Sequence, residues 1–259
     1  MTETELVGVR QDARGVAWIT IQNAPKLNTL NRAVMTALVA AVERVAGDEA
    51  LRAVVLRGAG DRAFIGGADI AEMATLDPEA ARDFITLVHR SCDVFRRLPV
   101  PAIACIQDWT LGAGLEVAAA CDLRIAANTA RFGMPEVRVG IPSVVEAALL
   151  PNLIGWGRTR RLLLTGETID AATALAWGLV EEVVAPAQLE AAVEKALGGI
   201  LASGPRAIRL QKALIADWET LPLAAAVQRG IECFATAWET DEPRALMNRF
   251  LEYQRQRKR

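Results

Sequence analysis

Residues 100–127 read VPAIACIQDWTLGAGLEVAAACDLRIAA and combine two apolar runs with a segment of small residues between them. The runs at residues 100–107 and 123–127 have the length and composition of buried strands. Between them, the segment Gly112-Ala113-Gly114 is predicted to open a short helix of small residues. This order of strand, helix and strand indicates an α/β fold.

The same alternation continues toward the start of the chain. Residues 15–22 and 52–57 are predicted to form two further strands. Asn31 is predicted to cap a helix that ends at Gly47, and Asp77, followed by a proline, to cap a helix that ends near Arg97.

From about Ser143 onward the sequence predicts almost only helices, and prolines mark the successive starts. We predict a strand-and-helix core domain over residues 1–200 and a C-terminal helical arm over residues 201–259. Such arms often pack on a neighbouring subunit, so we expect a homo-oligomer.

The composition argues against several classes of protein. Of 259 residues, 52% are hydrophobic and 23% are charged, which is typical of a globular protein and excludes a disordered chain. The net charge of −2 gives no reason to expect binding to nucleic acid or to an anionic membrane. No uncharged apolar run approaches the ~18 residues of a membrane helix. Residues 1–5 are acidic, unlike a signal or transit peptide, and predict a cytoplasmic location.

Histidine and cysteine are too scarce to support metal or disulfide chemistry. The one histidine is His89, and the four cysteines are far apart without a Cys-x-x-Cys pair. We therefore expect no metal site. Carboxylates, backbone amides, lysines and arginines remain as the groups that could do chemistry.

Two glycine-containing segments and two glutamates are the candidates for that chemistry. Gly66 and Gly67 lie between a predicted strand and helix, where backbone N–H groups can bind an anion, although alone they are more typical of a tight turn. Glu116 lies among small apolar residues that predict burial, although the helix dipole also favours an acid there. Glu136, taken alone, is typical of a surface loop. Together these groups could polarise a carbonyl and move protons beside it.

Five segments follow one another in a recognisable order and spacing: residues 25–30 (PKLNTL), 63–70 (AFIGGADI), 111–122 (LGAGLEVAAACD), 132–136 (FGMPE) and 164–180 (LTGETIDAATALAWGLV). In that order and spacing they resemble the crotonase (enoyl-CoA hydratase/isomerase) superfamily. The resemblance covers roughly residues 8–255.

The resemblance implies a spiral of β-β-α units with a C-terminal helical region, assembled as trimers or dimers of trimers. It implies that two backbone N–H groups, at Gly66 and Ala113, stabilise an enolate-like oxyanion of an acyl-CoA thioester. Ala113 replaces the glycine usual at that position. Glu116 would activate the water that attacks Cβ, and Glu136 would deliver a proton to Cα. No cofactor is implied, because CoA is part of the substrate.

A second set of residues is implied to contact the substrate or its CoA moiety. For Lys26 the sequence supports two interpretations about equally: an exposed, solvated side chain, or a side chain that contacts a phosphate of CoA. The set is Lys26, Leu27, Gly67, Ala68, Asp69 and Ile70.

Because both glutamates are present, the resemblance favours an enoyl-CoA hydratase that adds water across the 2,3 double bond of a 2-enoyl-CoA. The alternative is a Δ3,Δ2-enoyl-CoA isomerase, which typically relies on the acid matched by Glu136. An alternative of another class is a non-catalytic relative that binds acyl-CoA or RNA. The basic residues 255–259 would suit RNA, whereas the net charge and the two acids argue against it.

Residues 140–147, GIPSVVEA, depart from the glycine-rich stretch of many relatives and are expected to alter acyl preference. Glu146 is predicted to be a solvated helix residue. His89 lies off the apolar stripe of its helix, so we expect an exposed side chain without a catalytic role.

Overall fold

The computed structural model describes residues 6–257, in which short strands and helices alternate along the first two-thirds of the chain. The strands are β1 (Val7–Gln11), β2 (Val16–Ile21), β3 (Ala53–Gly58), β4 (Ala63–Ile65), β5 (Ala102–Ile106), β6 (Trp109–Leu111), β7 (Leu123–Ala127), β8 (Arg131–Gly133), β9 (Thr168–Asp170) and β10 (Glu182–Val184). The α-helices are α1 (Arg32–Ala46), α2 (Ile70–Met73), α3 (Pro78–Arg96), α4 (Ala113–Ala120), α5 (Leu150–Thr165), α6 (Ala171–Trp177), α7 (Leu189–Ala202), α8 (Pro205–Thr220), α9 (Leu223–Ala237) and α10 (Glu242–Arg257).

The strands form two sheets. The larger has the order β1-β2-β3-β5-β7-β10 and is parallel except for the β1–β2 pair. The smaller has the order β4-β6-β8-β9, with only the β8–β9 pair antiparallel. From β3 to β8 the strands alternate between the sheets: β3, β5 and β7 join the larger sheet, β4, β6 and β8 join the smaller one, and helical residues follow each pair, as in β5-β6-α4. This confirms the α/β fold and the predicted spiral of β-β-α units.

Local sequence signals explain where the predicted helices begin. The Asn31 side chain accepts a hydrogen bond from Val34 N–H at the start of α1, and Asp77 caps α3 in the same way through Ala80 N–H. The inner faces of α1 and α3 pack with the strands of the larger sheet in one buried apolar core, which includes Leu38, Phe84 and Phe95.

The expectation that the chain is almost entirely helical after Ser143 is wrong in two places. β9 pairs with β8, and β10 extends the larger sheet beside β7. Strand β1 was not predicted either. Strands of three to five residues carry too few alternations for a periodic pattern, and pairing with a neighbouring strand supplies their stability.

Contacts between residues divide the chain into two compact units, with the boundary between Ala196 and Leu197. The first unit contains both sheets and helices α1–α6, and the second contains helices α8–α10. Helix α7 begins in the first unit and ends in the second. Within residues 6–257, none of the helices combines the length and apolar composition needed to cross a membrane.

Candidate active site

A cavity in the first unit brings together the segments that the sequence singled out. Both candidate glutamates, Glu116 and Glu136, contribute to its wall. Other residues of the wall come from the loop after β4, the start of α4, α3, and the segment after Glu136. They include Gly66, Gly67, Ala68, Ile70, Val88, Gly112, Ala113, Ile141, Pro142, Ser143 and Val144.

Glu116 lies in the first turn of α4 and is only 4% exposed. Its Oε1 accepts a hydrogen bond from the Ala147 N–H at 3.1 Å, and the same N–H also donates to the Val144 carbonyl at 2.9 Å. The small residues around Glu116 let α4 pack closely inside the first unit, and this packing buries the carboxyl group as the sequence predicted.

Glu136 begins a 3₁₀ turn, Glu136–Val139, and is half-buried at the cavity. Its Oε2 accepts a hydrogen bond from Ser143 Oγ at 2.7 Å. Its Oε1 lies so close to Gly112 that a Cβ built on that glycine would be only 2.3 Å from this oxygen. The Glu136 side chain therefore belongs to the site, beside the start of α4, and is not an ordinary surface acid.

The surroundings of Glu116 change its protonation. Burial and, to a smaller extent, the negative charge of Glu136 raise the pKa of Glu116, and the hydrogen bond from Ala147 N–H lowers it, so that the pKa is raised to about 8. Glu146 adds a smaller upward effect on the same pKa. Near neutral pH the free protein thus holds a proton on Glu116 beside the second carboxyl group.

Two backbone N–H groups are available at the cavity. Ala113 is the first residue of α4, so its N–H has no acceptor within the helix. Ala68 forms a parallel bridge with Leu30, in which the Gly67 carbonyl and the Asp69 N–H make the hydrogen bonds to Leu30. The N–H of Ala68 itself therefore points away from Leu30.

The prediction that Gly66 supplies an oxyanion donor is wrong. Its N–H, in the loop that connects β4 to α2, donates to the carbonyl of Leu27 in the earlier segment 27–30, at 2.8 Å. Because that N–H is already bonded, Gly66 shapes the loop and Ala68 presents the available N–H. The sequence could not distinguish these neighbouring residues, since the direction of each peptide depends on its pairing with residues 27–30.

The other predicted substrate contacts divide into two groups. Gly67, Ala68 and Ile70 line the cavity. Lys26, Leu27 and Asp69 do not line it and instead hold the neighbouring loop: Asp69 caps α2 through the N–H groups of Ala71 and Glu72, and its carboxylate lies 3.5 Å from Lys26 Nζ. Lys26 is largely exposed beside this loop.

One residue that stabilises this loop was not predicted to do so. Asn28 is fully buried and has a left-handed backbone, with φ 55°. Its side-chain amide donates to the carbonyls of Ala59 and Ala63, and its Oδ1 accepts from Asn23 N–H. Asn tolerates this backbone region better than most residues, so Asn28 can link its own loop, residues 23–30, to residues 58–63.

Residues 140–147 supply part of the cavity wall, where the sequence predicted the acyl pocket, through Ile141, Pro142, Ser143 and Val144. The prediction for Glu146 is wrong, because it is buried to 7% exposure and lies 2.7 Å from His89 Nδ1. The prediction for His89 is correct as to exposure, with half of its side chain accessible. The contact between them was missed because it joins residues 57 positions apart.

Within residues 6–257, no group of three or more His, Cys, Asp or Glu side chains is placed to hold a metal ion. The cavity contains carboxyl groups and backbone donors of the kind that acid–base chemistry on a carbonyl compound requires.

Comparison with known proteins agrees with this arrangement. The sequence model of the enoyl-CoA hydratase/isomerase family matches residues 11–258. The chain is 37% identical over 232 residues to the crotonyl-CoA hydratase of Syntrophomonas wolfei, covering 89% of each chain. It is 34% identical over 241 residues to the short-chain-enoyl-CoA hydratase of Clostridium acetobutylicum, covering 92% of this chain and 91% of that one.

A solved structure of an enoyl-CoA hydratase also resembles this chain. The crystal structure of the enoyl-CoA hydratase from Bacillus anthracis superposes with a TM-score of 0.92, at 31% identity and 96% coverage of both chains. The fold, the ordered motifs and the sequence matches converge, and the chain belongs to the enoyl-CoA hydratase/isomerase family.

Proposed function

We propose that this protein is an enoyl-CoA hydratase, which adds water across the 2,3 double bond of a 2-enoyl-CoA thioester. The observation that carries the proposal is the presence of Glu116 and Glu136 in one cavity beside the free N–H of Ala113. An isomerase of this kind needs one acid, whereas the addition of water needs one group to take a proton and another to give one.

The N–H groups of Ala113 and Ala68 would bind the thioester oxygen as negative charge develops on it. Donors fixed in place before the reaction stabilise such charge without reorganisation, and losing one typically costs about 3 kcal/mol. Ala113 can serve as well as the glycine usual in the family, since the donor belongs to the main chain.

The glutamates would handle the protons. An ionised carboxylate takes a proton from water as the water oxygen bonds to Cβ, and the carboxyl group that is protonated gives its proton to Cα. The roles implied by the resemblance, with Glu116 as base and Glu136 as acid, require the proton to move from Glu116 to Glu136 when substrate binds. A water held by both carboxyl groups would carry it.

The reaction should lose rate as the pH rises above about 8. The pKa of Glu116 is raised to about 8, so the pair keeps one proton below that pH and loses it above. Without that proton there is no acid for Cα. Measurement of kcat/KM from pH 6 to 10 should show this alkaline decline, and a flat profile over that range would contradict the shared-proton mechanism.

The direct test of the function uses crotonyl-CoA, because two of the relatives are a crotonyl-CoA hydratase and a short-chain-enoyl-CoA hydratase. Rapid loss of the absorbance of the conjugated thioester is the expected result. Intact binding of the acyl-CoA without loss of absorbance would contradict hydration of this substrate and favour isomerisation. A panel of acyl groups would then define the preference set by Ile141–Val144.

The C-terminal arm, residues 201–259, is proposed to form the contacts of a homo-oligomer, either a trimer or a dimer of trimers. Helix α9 exposes an apolar stripe at helical spacing, Leu223, Val227, Ile231 and Phe234, and none of these side chains is less than 56% exposed. Light scattering should give a mass of several chains, and the mass of one chain would contradict the proposal.

The cytoplasmic location and the absence of nucleic-acid binding remain predictions. The first rests on residues 1–5, and the second concerns a basic segment that includes residues 258–259, which lie outside the described residues.

A further inference from the structure

The polar contact between His89 and Glu146 has no part in the hydration steps described above. His89 lies on α3, and its Nδ1 is 2.7 Å from Oε1 of Glu146, in the 3₁₀ turn Val145–Leu149. The Glu146 side chain is 8% exposed, and the His89 side chain is 50% exposed. The buried carboxylate thus reaches across to a helix that also lines the cavity.

Residues 143–147, called the 143–147 turn below, include Glu146 and contact both glutamates of the site. Ser143 Oγ donates to Glu136 at 2.7 Å, and Ala147 N–H donates to Glu116 at 3.1 Å. A displacement of residues 143–147 would therefore alter the hydrogen bonding of both carboxyl groups at once.

The same turn contains a strained residue. Val145 has φ 37°, a left-handed conformation that is unfavourable for a β-branched side chain. Such a conformation persists only where the surrounding contacts impose it. The next residue in the chain is Glu146, whose contact with His89 joins this strained segment to α3.

We propose that His89 and Glu146 are positioning residues that fasten the 143–147 turn to α3 and thereby hold Glu116 and Glu136 in their reactive arrangement. This inference rests on the proposed hydration.

The groups around Glu146 define the electrostatic consequence. Facing it are His89 and Cys92 from α3 and Glu116 from α4, and Glu116 in turn interacts with Glu136. The adjoining part of α5, residues 150–154, has no charged side chain. Cys92 is buried, and burial and the nearby carboxylates hold the pKa of its thiol well above its usual range, so it stays neutral.

Two substitutions should shift the alkaline limb, which is the decline of kcat/KM above about pH 8, in opposite directions. His89→Ala releases the turn and weakens the Ala147 bond to Glu116. Because that bond lowers the pKa of Glu116, the limb should move to higher pH. Glu146→Gln keeps a hydrogen-bonding group but removes a charge that raises the same pKa, so the limb should move to lower pH.

The experiment compares wild-type protein, His89→Ala, Glu146→Gln and the control Arg90→Ala, which changes an exposed neighbour on α3. Hydrogen exchange followed by mass spectrometry should show faster exchange for residues 143–149 in His89→Ala and unchanged exchange in β3. With crotonyl-CoA, kcat of His89→Ala should fall by about 10- to 100-fold with little change in KM, as expected for misplaced reacting groups.

Unchanged exchange at residues 143–149 in His89→Ala would overturn the fastening role, whatever the activity. Faster exchange with unchanged kcat and pH profile would overturn the positioning role. Alkaline limbs of the two variants that coincide with the wild-type limb would do the same. Failure of the hydration proposal is recognised separately, because the wild-type protein itself would then not hydrate an enoyl-CoA.

Discussion

Replacing Glu116 or Glu136 by glutamine should lower kcat for enoyl-CoA hydration by about 10²–10⁴-fold and leave the fold unchanged. Glutamine has nearly the same shape and can still accept the hydrogen bonds from Ala147 N–H and Ser143 Oγ. It cannot take up or release a proton at neutral pH. The loss should therefore appear in kcat, while binding of a saturated acyl-CoA, measured by calorimetry, stays close to wild type.

The matched control is Glu190→Gln, because Glu190 is a largely exposed acid outside the cavity wall. It should retain full activity. The double variant of Glu116 and Glu136 should be only slightly slower than the worse single variant, since groups that act as a unit are not additive. A fully active Glu116→Gln would refute the mechanism with two glutamates.

Gly114→Ala should abolish most of the activity and lower the stability of the first unit. A Cβ on Gly114 would lie 2.1 Å from the carbonyl oxygen of Ile65 and 2.8 Å from its Cβ. Ile65 ends β4 and Gly114 lies in the first turn of α4, so the added methyl group forces apart the two elements beside Ala68 and Ala113. Overpacking of this kind costs about 1–3 kcal/mol, and displaced oxyanion donors cost about 10²–10³-fold in kcat.

Thermal unfolding and steady-state kinetics would measure both effects. Gly198→Ala is the matched control, because nothing lies within 4 Å of a Cβ at that helical glycine. It should leave activity intact and slightly raise the melting temperature, since alanine favours a helix over glycine. Ala113→Gly should keep most of the activity because the main-chain donor remains. Normal activity and stability in Gly114→Ala would show that β4 and α4 can separate without consequence.

The sequence predicted the elements whose signals are local. The N-caps at Asn31 and Asp77, the buried strand over residues 123–127 and the short helix that carries Glu116 all lie where pattern and capping residues placed them. Each depends on interactions within a few residues of chain, such as the side-chain bond of Asn31 to Val34 N–H. The resemblance of motif order then predicted the β-β-α spiral.

The finer features of the site depend on distant contacts. Gly66 and Ala68 are two residues apart in a loop of small residues, and only the pairing with residues 27–30 determines which N–H is already bonded. Glu146 followed by small and apolar residues fits a solvated helix, yet the fold buries it against His89. No local sequence pattern predicts this contact between α3 and the 143–147 turn, because the two residues are 57 positions apart.

The sequence by itself thus determined the fold class, the family and the two glutamates at the cavity, because periodicity, caps and motif spacing are properties of the chain. The tertiary structure decided which backbone N–H groups face the cavity, which acid holds the proton and what fastens the 143–147 turn. These depend on peptide direction and on burial. Both are set when segments far apart in the sequence pack together.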